Sequence, residues 1–269
     1  MNVVLTFAVT LALVASSAFA GITYRFNCTS SGTPTGGALS GRAAVEPHRA
    51  RVDVEHGDGI LFHDNSVVLS QDGGQTLLIL NPADQTYFEL HLDQLLGGIG
   101  AVAKSGGGMF DIKFANPKVT ARDDGAGPPI AGFPTRKSTV TTSYDLVIDV
   151  MGKTIRSHVD SSSQSWPTDR LSSDLLTFVQ LRDIRTGIDG LDQLIATSSA
   201  AVKGFPLRQT SRTTTTSSAG GKIDMTSTMT ISELHDVSLV AAQFLVPANY
   251  KKVPSPIEGL LASALGGKK

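Results

Sequence analysis

The residues able to do chemistry in this sequence are six histidines, a single cysteine and a large number of serines and threonines. The densest group is His56-Gly57-Asp58 followed by His63-Asp64. A hairpin turning at Gly57 to Gly59 would bring two imidazoles and two carboxylates together. A zinc site needs three or four convergent ligands at characteristic spacings. This spacing matches none, so the group reads as polar residues around a turn and no metal is expected. Cys28 is the sole thiol, expected buried and inert, with pairing to another chain or reactivity as the alternatives. Asn27-Cys28-Thr29 fits the N-glycosylation pattern, which matters only in a eukaryotic secretory pathway.

Nucleophilic chemistry has little support. The chain lacks the Gly-x-Ser-x-Gly elbow that presents a catalytic serine. Gly106-Gly107-Gly108 lacks the Lys-Ser/Thr ending of a phosphate loop. Asp123-Asp124 sits beside Gly125, where solvation accounts for both carboxylates better than acid-base work. No catalytic residue and no cofactor are expected.

The whole chain sets wider bounds. It has 269 residues, 41% of them hydrophobic, and a formal net charge of -1, a balance that gives no reason to expect nucleic acid. Residues 3–13 are an apolar run, and 14–20 end it with small residues (Ala18-Phe19-Ala20), as in a secretory signal cleaved before Gly21. No second stretch reaches the ~20 apolar residues needed to span a bilayer. A soluble, secreted protein of the bacterial periplasm or the extracellular space is therefore expected. The remaining chain is long enough to bury roughly three-quarters of its unfolded surface without a disulfide.

The elements that must position any site follow from periodicity. Segments 22–26, 49–54, 60–62, 67–70, 76–80 and 86–90 are short alternating or apolar runs separated by Gly, Asp and Pro, the pattern of an antiparallel meander. Residues 30–41 read as a loop, Leu92 to Ile99 as a short weak helix, 109–114 and 118–120 as strands, and 123–129 as a polar turn. Gly132-Phe133-Pro134-Thr135-Arg136-Lys137 then returns as Gly204-Phe205-Pro206-Leu207-Arg208-Gln209. Each copy opens a long run of Thr, Ser and alternating apolar residues, so two long hairpin arms are expected. Between them, residues 169–201 carry two helical patterns, the second on Ile188, Leu191, Leu194 and Ile195. The expected division is a signal at 1–20, one domain at 21–250 with a helical insert at 169–201, and a tail at 251–269.

Several short motifs, in order, carry a resemblance: Asn81-Pro82 before Tyr87, the two Gly-Phe-Pro copies, Trp166 at the end of the first arm, and a closing Phe244, Val246-Pro247, Tyr250-Lys251. Together they resemble a family of secreted bacterial proteins of unknown function that is similar to the lipoprotein carrier LolA and its relatives. The resemblance implies a mainly β (α+β) fold, a strongly curved antiparallel half-barrel whose apolar concave face is covered by a few helices and accommodates acyl chains in the relatives. It implies no catalytic residues.

On this reading Phe133, Leu146, Ile148, Trp166, Phe205, Met225 and Met229 are the expected ligand-contacting residues. The same side chains would equally make a filled core. Arg136, Lys137 and Arg208 face anions or simply solvate a strand. The expected function is non-catalytic binding of a hydrophobic or amphipathic, lipid-like ligand. The alternative is a cell-envelope structural or protein-interaction module, using the exposed edges of an open sheet to pair with an envelope protein partner.

Overall fold

The computed structural model describes residues 20–32, 37–59, 61–92, 110–150, 153–171, 175 and 188–256. Residues 1–19 of the expected 1–20 signal, most of the helix expected from Leu92 to Ile99 and most of the first helix of the insert lie outside them. Among the described residues the strands are β1 (Ala20–Ser31), β2 (Ala38–Glu46), β3 (Arg49–Gly57), β4 (Val67–Ser70), β5 (Thr76–Asn81) and β6 (Thr86–His91), then β7 (Phe110–Ile130), β8 (Phe133–Val150) and β9 (Lys153–Thr168). Helix α1 (Asp189–Ala200), β10 (Phe205–Ser217), β11 (Lys222–Ser238) and β12 (Lys251–Lys252) complete the chain.

All twelve strands form one open, curved sheet in the order β12-β6-β5-β4-β3-β2-β1-β11-β10-β9-β8-β7. Every neighbouring pair is antiparallel except β12 with β6, which is parallel. The meander β1 to β6 and the arms β8/β9 and β10/β11 follow the periodicity. The two arms lie side by side through β9 and β10, paired from Phe205 opposite Thr168 to Ser217 opposite Ser157 with one register shift between Pro206 and Arg208.

Both Gly-Phe-Pro copies have a local cause. Ala131 and Gly132 hold φ of 50° and 82° in the turn from β7 into β8. Gly204 holds φ 85°, and a Cβ there would stand 2.5 Å from the Thr168 carbonyl oxygen, so only glycine leads cleanly into β10. Phe205 then enters the core, fully buried and edge-on to Tyr24 with ring centroids 5.7 Å apart.

Several boundaries differ from the sequence reading. Residues 123–129, expected as a turn, belong to the continuous strand β7, which absorbs its Pro and Gly residues through register shifts at Ala115/Lys118, Asp123/Gly125 and Gly127/Ile130. Within the expected 30–41 loop, β2 already begins at Ala38 and pairs with β1. Of the expected strand at 60–62, residues 61 and 62 are described and form a bend beside an isolated bridge between Asp58 and His63. In the expected tail, Lys251–Lys252 forms the last rung of the sheet, with the Lys251 amide donating to the Gln85 carbonyl at 2.9 Å.

The meander half is packed on its inner face and, over β3 to β5, on its outer face too. On the inner face Ile22, Tyr24, Val45, Val52, Val68 and Ile79 form a buried cluster that takes in Phe205, Leu207, Leu171 and Leu175. On the outer face Val67, Leu69 and Leu80 are covered by Val246 and Tyr250 of the closing segment. A single 3-10 turn (Ala241–Phe244) anchors that segment. Phe244 is fully buried there beneath the Arg49 guanidinium, 5.1 Å from its ring centroid, and Arg49 pairs with the buried Glu46 carboxylate.

Candidate functional site

The arm half is built differently. Along β8, β9 and β10 the side chains facing inward are Thr142 and Tyr144, then Ser161, Ser163 and Ser165, then Gln209, Ser211 and Thr213. Register sets this, placing Gln209 opposite Ser165, Ser211 opposite Ser163 and Thr213 opposite Ser161. Because side chains alternate across a strand, this parity gives the floor its hydroxyls. Helix α1 lies across it. A Cβ on Gly190 would stand 2.8 Å from the Phe114 carbonyl oxygen and 2.9 Å from the Phe114 Cβ, so the absent side chain lets the helix start rest directly on β7. Further along, Leu194, Ile195 and Val202 turn aliphatic surface toward the floor.

Floor and cover enclose a cavity of about 440 Å³. Its polar atoms are partly paired among themselves. Ser211 Oγ donates to Ser163 Oγ at 3.0 Å, Gln209 Nε2 donates to the same oxygen at 3.2 Å, and Ser161 and Thr213 share a hydrogen bond of 3.0 Å. Ser165 is 2% exposed, lines the cavity, and its hydroxyl has no hydrogen-bond partner. Leaving a buried hydroxyl unpaired costs about 1–3 kcal/mol. Burial pushes the Tyr144 hydroxyl above its ordinary pKa, so it stays protonated. Among the described residues no charged side chain lines this space.

Gln209 also borders a second hollow of about 360 Å³, with Cys28, Leu39, Phe62, Ser227 and Met229 around it and Asp58 at its side. Burial raises the Cys28 pKa, which keeps the thiol protonated and a poor nucleophile.

The residues expected at the site are scattered by the fold. Met229 lines the second hollow, opposite Cys28 and Gln209. Phe205 is fully buried and Phe133 packs against the same core. Trp166 also packs there, and on its ring stand Lys137 (Nζ 5.5 Å from the centroid) and Arg208 (Cζ 5.8 Å). The cations after each Gly-Phe-Pro are therefore gathered onto one indole, except Arg136, which pairs with Asp123. Leu146 and Ile148 lie along β8 beyond Tyr144, opposite Ser157 and Ile155, and Met225 lies opposite Thr213. The floor serines and Gln209 were not anticipated. Ser161-Ser162-Ser163 carries hydroxyls on both faces, so no polar-apolar alternation marks the inner one.

Two polar clusters lie outside the cavity. His56 Nδ1 sits 3.2 Å from Asp64 and its Nε2 3.5 Å from Asp58, while Asp64 also accepts the Gly57 amide at 2.8 Å. These contacts tie the turn together, and among the described residues no three His, Cys, Asp or Glu side chains converge for a metal. On the outer face of the arms, His158 Nδ1 is 2.6 Å from Asp145 and its Nε2 is 3.4 Å from Ser143 Oγ, the connectivity of a serine triad. Asp160 also approaches Nε2, at 3.3 Å. The hydrogen bond to Asp145, helped by Asp160, holds the His158 pKa above its ordinary value, and the same bond holds Asp145 low. With Asp145 on one ring nitrogen and Asp160 beside the other, the 51% exposed His158 ties β8 to β9 as a cross-strand clasp.

No family model and no curated protein matches the sequence. Among solved structures, PNGF-II aligns with 91% of this chain at 10% identity and a TM-score of 0.32, and the chain spans 34% of its length. A domain from Vibrio parahaemolyticus named for outer membrane lipoprotein sorting aligns with 85% of this chain and 90% of its own, at 6% identity and a TM-score of 0.30. A DUF1329 family protein from Desulfovibrio piger aligns with 86% and 91%, at 6% identity and 0.31. These likenesses are distant, and no residue role is carried over from them.

Proposed function

We propose that this chain is an exported, non-catalytic binding protein for an amphipathic, lipid-like ligand, held between α1 and the hydroxyl face of β8, β9 and β10. The observation that carries this reading is the cavity itself, lined by aliphatic carbon from Leu194, Ile195, Val202, Val140 and Val159 and by hydroxyls from the strands and from Ser198 and Ser199 of α1. Its volume falls within the roughly 300–1,000 Å³ of small-molecule sites. Its mixed aliphatic and hydroxyl lining suits a ligand with an apolar chain and a polar group.

The edge-pairing alternative is less well supported. Among the described residues β7 and β12 are the outer strands. β7 is long but interrupted by three register shifts and carries Pro117, Pro128 and Pro129, which lack an N–H, while β12 is two lysines long. Bulges, prolines and lysines are the features that blunt an edge against strand addition.

The test is native mass spectrometry, with solvent extraction, on residues 21–269 purified from a bacterial periplasm without detergent. The reading expects a co-purifying acyl species in fixed stoichiometry. Bare protein that also fails to bind a fluorescent acyl probe would overturn it.

A further inference from the structure

Resting on that reading, we infer that the cavity under α1 and the second hollow are two ends of one trough, and that the ligand is a single-chain amphiphile of about sixteen to eighteen carbons whose tail passes Gln209 and ends against Cys28 and Met229. Strand register joins the two spaces. Leu39, Cys28, Met229 and Gln209 stand opposite one another in turn on β2, β1, β11 and β10. Directly paired residues put their side chains on the same face of a sheet, so these four make one row, which Gln209 continues to Ser165 on β9. Two residues along, Ser30, Ser227, Ser211 and Ser163 make a second row on that face. Each row starts in the hollow and finishes in the cavity. Gln209 lines both, and its amide, donating to Ser163 Oγ at 3.2 Å, is held along the floor instead of standing across the passage.

The lining sets the direction. The cavity end carries hydroxyls from β8, β9, β10 and α1. The hollow end carries the soft sulfur side chains of Cys28 and Met229 beside Leu39 and Phe62, which also pack against the main core. Asp58 at its side is already engaged, accepting the Ala38 amide at 3.1 Å and pairing with His56 at 3.5 Å. A polar head therefore belongs under α1 and the end of an apolar tail in the hollow. Volume sets the length. A methylene takes about the room of a water molecule, roughly 30 Å³. A lauroyl chain, at roughly 360 Å³, fills the cavity of about 440 Å³ once its glycerol head is added. A chain of eighteen carbons, at roughly 540 Å³, does not fit and has to continue into the 360 Å³ beyond Gln209.

Cys28 is the single cysteine, so it reports on the far end of the trough without any substitution. The experiment follows its alkylation by excess iodoacetamide at pH 8, by intact mass, with 1-monolauroylglycerol or 1-mono-oleoylglycerol present at ten times the Kd found by displacing a fluorescent acyl probe. The eighteen-carbon ester is expected to slow the reaction about tenfold, as mass action requires of a ligand that covers the thiol, and the twelve-carbon ester to leave it nearly unchanged. Equal protection by both, or by neither while both displace the probe, would overturn the trough and leave the α1 cavity as a lipid site. Met229→Trp supplies a readout independent of the thiol. It places a bulkier ring at a half-buried strand position inside the hollow. It should weaken the oleoyl ester about tenfold, the effect of roughly two fewer buried methylenes, and leave the lauroyl ester unchanged. Equal effects on the two esters would likewise overturn the trough. Failure of the probe and of both esters to bind would overturn the binding function itself.

Discussion

From β1 to β6 the sheet is covered within by Phe205, Leu207, Leu171 and Leu175, and over β3 to β5 it is covered without as well, by Phe244, Val246 and Tyr250. From β8 to β10 it is covered on one face only, and loosely: over a floor of serine and threonine with Val140 and Val159 among them, α1 leaves about 440 Å³. The same chain builds a packed end and a hollow end from one continuous ladder of hydrogen bonds. Side-chain volume makes the difference. Val, Ile, Leu and Phe projecting from neighbouring strands fill the space between layers. Ser and Thr on three adjacent strands cannot, and their hydroxyls pair with one another instead.

If that division is right, substitutions at the two ends must differ in cost. Phe205→Ala should destabilise the fold most, by about 3–5 kcal/mol in equilibrium urea unfolding. Ser211→Ala on the hollow floor should cost at most about 1.5 kcal/mol. Equal losses would mean that the arm half is as tightly packed as the meander. On the outer face of the packed end, Glu46→Gln removes a carboxylate that is 3% exposed and paired with Arg49. A loss of about 2 kcal/mol is expected, below the ~3–5 of a fully buried pair because Arg49 remains 35% exposed. Chemical denaturation of the purified variant measures it.

At the hollow end, Gly190→Ala places a methyl group against the Phe114 backbone. It should lift the start of α1 and cost about 1 kcal/mol, and acyl-probe affinity should shift more than unfolding stability. A variant unchanged in both would show that α1 does not rest on β7. The smallest effect belongs to the clasp at His158. Its folded pKa is raised, so its contribution to stability is complete below the ordinary value of 6.5 and is lost as pH rises through the higher folded value. Thermal unfolding should therefore show a modest fall in Tm as pH rises above about 6.5, absent in His158→Gln. A Tm that rises through this window in the wild type alone would contradict the clasp.

The packed end was legible because alternation along Ile22-Thr23-Tyr24-Arg25-Phe26 and its neighbours states directly which side chains go inward. The arms were legible as hairpins, through the repeated Gly-Phe-Pro and the glycines at 220 and 221 that hold φ of 93° and 109° in the β10–β11 turn. The continuity of β7 was not. Pro117, Gly125 and Pro128-Pro129 read locally as breaks, and only pairing with β8 carries the strand across them. The hollow was hidden for a related reason. Ser163 meets Ser211 across 48 residues of sequence, and a strand with hydroxyls on both faces does not announce which one is covered. Of the residues that looked suited to a ligand, Phe205, Phe133 and Trp166 pack in or against the core, while Met229 borders the second hollow.

The most direct test of the division is hydrogen–deuterium exchange by mass spectrometry with and without 1-monolauroylglycerol at saturation. The predicted result is added protection confined to β8, β9, β10 and α1, with peptides from β1 to β6 unchanged. Protection centred on β1 to β6, or none in the arms under conditions where the ester is bound, would contradict a ligand site at the hollow end.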